Sequence, residues 1–506
     1  MAWPLPRHVA LLAPALLLCA CTIGPAHVPP QTELPLRFRH AEAEISAEVE
    51  SVTAAARMTQ PAPAPDTTVG WQPVASVPGM ALDAAWWAVY ADAALADLMR
   101  AVAQGNPTLA QAEARHKQAR ALADGARAAA LPQLGGNVGG TRSGGNGSSS
   151  GGAAGSSSAL SSGAVYRAGL DLAWTPDLWG RVARQREAAL ADADASAALR
   201  DAARLALQLQ AAQGYVRVRA LDQQMALTAR ALTAYERSLR LTRHQYEAGF
   251  VARADVIQAD TQLQSLRAQV LEVERQRTLE EHALAVLAGR TPAQWRLPAA
   301  TEPVALPAVP AAPPALPASL LLRRPDIAAA ERQVAAANAR IGIAQSAWLP
   351  DLTLSAAGAL QSGRLSGLFD APARVWSLGP SLAFTLLDGG ARRAAEAQAL
   401  AQHQEQSEAW RAAVLQAVRE VEDALASLRL LAARQAQQQR LVELAAENER
   451  VVTARYEAGE ITFLEVATAQ NLALNSRQTL LDVQALRLQA SMQLVAALGG
   501  GWAAAD

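Results

Sequence analysis

The chain contains one stretch twice, and that duplication limits its fold more than any other feature. Residues 243–290 hold RHQYEAGFVARADVIQADTQLQS and run on to Ala288-Gly289; residues 453–500 hold TARYEAGEITFLEVATAQNLALN and run on to Leu498-Gly499. Tyr246 matches Tyr456 and Gly289 matches Gly499 at one shift, 210 residues (456 − 246 and 499 − 289), without a gap. Gly180 and Gly390 keep that shift, whereas Asn106-Pro107 aligns with Arg324-Pro325, and Leu131-Pro132 with Leu349-Pro350, at 218 (324 − 106). The extra residues therefore fall between Pro132 and Gly180, an interval that holds the Gly/Ser run from Ser143 to Ser158. Length variation of this kind belongs to a solvated loop. The chain is two copies of one supersecondary unit.

Charge is close to balanced, 45 Lys and Arg against 46 Asp and Glu, and no basic patch stands out, so no nucleic-acid partner is expected. Aromatic residues make up only 4% while Ala, Leu and Gln fill long stretches, which suits long, closely packed helices. The two cysteines, Cys19 and Cys21, end a segment, 1–20, that reads as an export signal. Its apolar run, Val9 to Leu18, is too short for a membrane-spanning helix. Leu18-Cys19-Ala20-Cys21 resembles a bacterial lipoprotein box cleaved before Cys21, although an ordinary secretory signal with a chance cysteine fits the same residues. A diacylated Cys21 would carry two chains, enough for stable anchoring, and Thr22 in place of Asp resembles lipoproteins sorted to the outer membrane. The mature chain then has no disulfide and no thiol chemistry.

An extended arm rich in Pro, Thr and Ala is expected over 21–80. Repeat 1, at 81–296, opens on Trp86-Trp87 and Tyr90, followed by a short helix from Asp92 to Met99 and another from Asn106-Pro107 that stops before Pro132. Residues 297–318 are dense in proline and read as a semi-rigid linker, repeat 2 covers 319–500, and 501–506 form a tail.

Each repeat carries strand-like alternation, in hairpins near 133–175 and 351–386. Tyr166, Ala168, Leu170, Leu172 and Trp174 alternate with residues that include Arg167, Gly169 and Asp171; Trp376, Leu378, Pro380, Leu382 and Phe384 alternate with Ser377, Gly379 and Ser381. Such a pattern predicts strands with one apolar and one polar face. Tyr166 and Trp174, like Trp376 and Phe384, close their face eight residues apart, roughly 26 Å along a strand. The apolar band between the aromatic girdles of an outer-membrane barrel is about 25 Å tall. A soluble, half-buried hairpin would show the same alternation.

After Gly180 and Gly390 the chain runs on without proline for about 60 residues, on the order of 90 Å as a helix. Leu205, Leu209, Ala212 and Val216 follow coiled-coil spacing, as do Val414, Val418, Val421, Leu425 and Leu428. The helices turn at Glu247-Ala-Gly249 and Glu457-Ala-Gly459, where glycine supplies the left-handed residue that ends a helix. They return to Gly289 and Gly499.

Two hairpins give four membrane strands, fewer than the eight or so of the smallest single-chain barrels. An open sheet edge in lipid is prohibitive, so several copies must close one barrel around a polar pore. At these residues the chain resembles TolC-like outer-membrane factors, above all the lipidated OprM- and NodT-like efflux lipoproteins. The resemblance is carried by Cys21-Thr-Ile-Gly24-Pro25, Trp87, Leu95, Asn106-Pro107, Ala112, Leu322-Arg-Arg-Pro-Asp326, Ile341-Gly342, Leu349-Pro350, Leu387-Asp-Gly-Gly390 and the two Tyr-Glu-Ala-Gly turns. It implies a mainly α fold with membrane β, in which duplicated units of long antiparallel helices plus a β-hairpin build a homotrimer. A twelve-stranded outer-membrane β-barrel, four strands per chain, then caps a periplasmic α-barrel. It further implies a bacterial outer-membrane location anchored at Cys21, a periplasmic adaptor and an RND-type inner-membrane pump as partners, and an exit duct for drugs or other toxic small molecules. Departures are His27, where the branch often has Tyr, and a long arm.

The family's functional end is the periplasmic tip, which closes like an iris. By position, Tyr246, Gly249, Tyr456 and Gly459 fall at its turns. Asp255 and Glu465, again 210 apart (465 − 255), read either as carboxylate rings at the constriction, favouring cations and responsive to pH, or as an N-cap-like carboxylate and a solvated helix face. Arg253 is a candidate for a salt bridge that holds the closed state. No enzyme, cofactor or metal is expected: the seven histidines are scattered and the Gly/Ser run lacks a phosphate-loop ending. A type I secretion exit duct shares the architecture, and a lipidated coiled-coil scaffold without a pore is the remaining alternative.

Overall fold

The computed structural model describes residues 23–30, 38, 85–143, 163–297, 306–310, 321, 323–370 and 374–500. Cys21, most of the arm, most of the linker and the Gly/Ser run beyond Ser143 lie outside them. After a 3-10 turn at Trp86–Tyr90 come α1 (Ala93–Gly105), α2 (Pro107–Ala128), β1 (Gln133–Ser143), β2 (Gly163–Trp174), α3 (Arg181–Glu247) and α4 (Arg253–Leu287). The second repeat supplies α5 (Pro325–Ser346), β3 (Asp351–Ser362), β4 (Arg374–Ala383), α6 (Ala391–Glu457) and α7 (Phe463–Ala497). The chain divides into two compact units, one of Met1–Pro30, His116–Ser196 and Ala330–Trp410, the other of Gln31–Arg115, Ala197–Ala329 and Arg411–Asp506.

The first unit contains one antiparallel sheet in the order β1-β2-β3-β4. Leu134 stands opposite Leu172, Leu172 opposite Ala356, and Ala356 opposite Leu378, so the apolar residues of all four strands share one face. Gln133, Asp171, Thr353 and Ser381 take the other face by the same alternation. Among the described residues β1 and β4 each keep one edge without a partner. Outside the sheet, α3 and α5 meet through Ala191, Ala335 and Ala336, whose small side chains let helices approach closely. The long helices start at capping aspartates. Asp177 accepts from the N–H groups of Val182 and Ala183, and Asp388 from those of Gly390 and Arg392. The Arg392 guanidinium, 2.6 Å away, together with these backbone donors holds the Asp388 carboxyl down at about 2.

Both long helices begin in the first unit and run into the second; α3 and α6 are 67 residues long in all and α4 and α7 are 35, equal between repeats. Part of the heptad seam is buried: Ala212, Val216 and Val421 are fully enclosed, whereas Leu205, Leu209, Val418 and Leu428 are half-buried. Trp86, Tyr90, Leu95, Met99, Tyr215, Leu284, Leu488 and Met492 form the main core. Asp92 caps α1 and also accepts from the Tyr215 hydroxyl at 2.7 Å. The repeat-related pair Asn106 and Arg324 does one job twice. Asn106 donates to the carbonyl of Leu287, the last residue of α4, at 2.8 Å; Arg324 donates to that of Ala497, the last residue of α7, at 3.0 Å. Each thereby satisfies a carbonyl that a helix end leaves open. Among the described residues no helix is long and apolar enough to cross a membrane.

Candidate functional site

On the sheet, Tyr166 stands opposite Gly140 and Ser362, Trp174 opposite Leu354, and Trp376 opposite Gly358. Trp376 is 82% exposed. The indole N–H of Trp174 donates to the Ala130 carbonyl at 3.1 Å, the amphipathic use of tryptophan that suits a membrane interface. Phe384 lies one residue past β4, because pairing with β3 stops at Asp351 opposite Ala383. The polar face carries an Asn137-to-Asp171 hydrogen bond of 2.9 Å.

The stretch Ile23–Pro25 is held by groups that sequence reasoning missed. Arg184 donates to the carbonyls of Ile23, Gly24 and Pro25 at 3.1, 3.0 and 3.3 Å, and Asn338 to that of Pro25 at 3.0 Å. Gly24 lies at φ 108°, and a Cβ there would stand 2.6 Å from the Gly342 Cα. Two residues on, His27 Nε2 lies 3.0 Å from Glu331. Cys21 itself lies outside the described residues.

At the two tip turns the backbone is nearly identical. Gly249 has φ 80° and Gly459 φ 78°. Gly249 N–H bonds to the Tyr246 carbonyl and Phe250 N–H to that of Gln245; Gly459 and Glu460 repeat the pattern onto Tyr456 and Arg455. This is the paired closure of a glycine-ended helix. The side chains differ. Tyr456 is buried, packs edge-on against Phe463 with centroids 5.8 Å apart, and meets Thr242 Oγ1 at 2.8 Å. Thr242 Oγ1 donates to the Ser238 carbonyl, so the Tyr456 hydroxyl donates to Thr242. Burial, with the Asp255 charge adding to it, pushes the Tyr456 hydroxyl above its usual range. Tyr246, by contrast, is 44% exposed.

Asp255 accepts from the Ala252 N–H at 3.2 Å across the first turn of α4. Glu465 occupies the equivalent place on α7, exposed and without that bond. Arg253 is exposed and makes no ion pair among the described residues. A nearby groove of about 720 Å³ between α4 and α7 is lined by amides and hydroxyls, including Gln258, Gln262 and Asn471, together with the apolar Ile257, Leu266 and Leu474. Among the described residues no group of side chains could hold a metal ion.

Comparison with known proteins agrees with this architecture. The family model described as outer membrane efflux protein matches residues 98–290 and 316–500. Nodulation protein T of Rhizobium leguminosarum bv. viciae is 30% identical over 507 residues, covering 98% of this chain and 94% of that protein. The pyoverdine export outer membrane protein OpmQ of Pseudomonas aeruginosa is 32% identical over 419 residues, 82% of this chain and 87% of that one. The crystal structure of the outer membrane protein VceC from Vibrio cholerae superposes with TM-score 0.73 at 29% identity, over 82% of this chain and 98% of the other. A duplicated helical hairpin joined to a shared four-stranded sheet, matched over most of its length by such proteins, places this chain in the outer membrane efflux protein family.

Proposed function

We propose that three copies of this chain close a twelve-stranded barrel and form the outer-membrane exit duct of a tripartite efflux system. Cys21 carries the lipid anchor, and a periplasmic adaptor joins the duct to an RND-type inner-membrane pump. The observation that carries this reading is the four-stranded sheet, apolar and exposed on one face, with β1 and β4 unpaired at its edges among the described residues. In lipid those edges need partners, and further copies of the same sheet supply them. Tyr166, Trp174, Trp376 and Phe384 are the aromatic girdles. The turns at Tyr246–Gly249 and Tyr456–Gly459 form the periplasmic tip, where Asp255 and Glu465 line the constriction and Arg253 pairs across to a neighbouring copy. The name of the Pseudomonas relative, an exporter of pyoverdine, supports a small-molecule cargo.

The test uses the full-length lipidated protein, weighed by native mass spectrometry and reconstituted in planar bilayers. A trimer with steady conductance is expected, and Asp255→Ala with Glu465→Ala should raise that conductance or shift its cation preference. A monomer, or a trimer that stays silent even with both carboxylates removed, would overturn the reading.

A further inference from the structure

The apolar face of the sheet holds two charged residues among the described strands, Arg142 and Arg374, and no carboxylate. Arg142 shares its side of β1 with Leu134 and Val138; Arg374 shares its side of β4 with Trp376 and Leu378. Both arginines are exposed, and neither makes an ion pair among the described residues. The carboxylates of the strands, Asp171 and Asp351, stand on the opposite face, the second already paired with Arg181 at 3.0 Å. Two unbalanced cations on a surface otherwise built for hydrocarbon call for an anion from outside the chain.

Their height on the sheet says which anion. Gln133, Trp174, Asp351 and Ala383 mark the end of the sheet next to the helices, so Arg142 and Arg374 lie at the opposite, hairpin end. Tyr166 faces Ser362 on β3, and Trp376 faces Gly358, four residues closer to the helices over two strand steps. The aromatic line therefore slants by two residues per strand, as tilted barrel strands require. Carried back one strand, the same slant moves from Gly140, opposite Tyr166, to Arg142. Arg374 stands two residues outward of Trp376. Each arginine thus sits at the outer girdle or just beyond it, where a guanidinium reaches headgroups at little cost.

We propose that Arg374 of one copy and Arg142 of the next, brought together where β4 meets the neighbouring β1, bind the phosphate groups of outer-leaflet lipid, the phosphorylated lipid A head of lipopolysaccharide. The inference rests on the barrel reading above, since the two residues occupy opposite edges of one sheet. Guanidinium matches phosphate with paired N–H donors, and one such site arises at every seam.

The test takes the full-length trimer in mild detergent and follows thermal stabilisation and native-mass retention of added lipid. Bisphosphorylated lipid A should bind and stabilise the wild type, whereas dephosphorylated lipid A and inorganic phosphate should do neither. Arg142→Ala with Arg374→Ala should weaken lipid A binding by roughly tenfold or more, while the double lysine variant keeps most of it and Arg167→Ala, on the polar face, binds like wild type. Undiminished binding by a trimeric double-alanine variant, equal loss in Arg167→Ala, or equal binding of dephosphorylated lipid would overturn the proposal. The last comparison needs no variant, so failure of the alanine pair to assemble leaves it intact. Stabilisation by inorganic phosphate alone would assign the site to free anion. A wild-type monomer would instead sink the barrel reading, and the seam with it.

Discussion

The two tip turns share a backbone and differ in what holds them. Each ends its helix on a glycine near φ 80°, with the same pair of backbone hydrogen bonds. At the second turn Tyr456 is locked between Phe463 and Thr242; at the first, Tyr246 is 44% exposed and Phe250 is 83% exposed. The repeat alignment explains the contrast. Shifted by 210, Phe463 corresponds to Arg253 and Thr242 to Val452, so Tyr246 has neither an aromatic platform nor a hydroxyl acceptor. The two copies share the turn, and residue differences at two matched pairs leave this packing in one of them. The lesson is that glycine sets where the chain reverses, while the side chains packed around the turn, one of them 214 residues away in sequence, decide how firmly.

The largest expected effect separates the two directly. Phe463→Ala should destabilise the tip by about 3 kcal/mol or more, read as lost hydrogen-exchange protection across the second turn, while Arg253→Ala stays within about 0.5 kcal/mol. Equal losses would abolish the distinction. Next, Gly249→Val and Gly459→Val should each cost about 1–2 kcal/mol, and by the same amount, because nothing lies within 4 Å of either added Cβ and only backbone conformation matters. Unequal penalties in denaturation of the two variants would show that the turns differ in backbone as well.

Smaller is Tyr456→Phe, expected to cost about 1 kcal/mol, against no change for Tyr246→Phe. The hydroxyl also gives a pH signature. Its value is raised in the fold, so its contribution is whole below about pH 10, the unfolded value, and is lost as pH rises through the folded one. Alkaline loosening of the second turn, followed by proteolysis, should vanish in Tyr456→Phe. Smallest, Asp255→Asn should weaken the start of α4 by about 0.5–1 kcal/mol, seen as faster exchange of the Ala252 amide, whereas Glu465→Gln leaves α7 unchanged.

Much of this was legible in the residues. Alternation from Tyr166 to Trp174 identified a strand and its apolar side, since side chains on a pleated strand have no other choice. The same pattern overran at Phe384, where alternation continues but pairing ends. Asp255 carried two readings in the sequence; within one chain it accepts from the Ala252 N–H as a capping carboxylate does, a bond that leaves the constriction reading standing. The grip of Arg184 on the arm was invisible, because its acceptors are backbone carbonyls 159 to 161 residues away, and carbonyls are common to every residue type. Asn106 and Arg324 were aligned by the repeat, yet their shared task could not be read, since amide and guanidinium look unrelated until both point at a helix end.

That grip on the arm has a consequence for the chain as a duplicated object. Arg184 belongs to the first repeat and Asn338 with Gly342 to the second, while Ile23–Pro25 belongs to neither. This stretch of the arm therefore laces the halves together, and it does so through its main-chain oxygens. Gly24 and Gly342 are constrained besides the donors, because neither can carry a methyl group where their backbones cross. A bulkier residue at either one would unlace the halves and leave each hairpin whole.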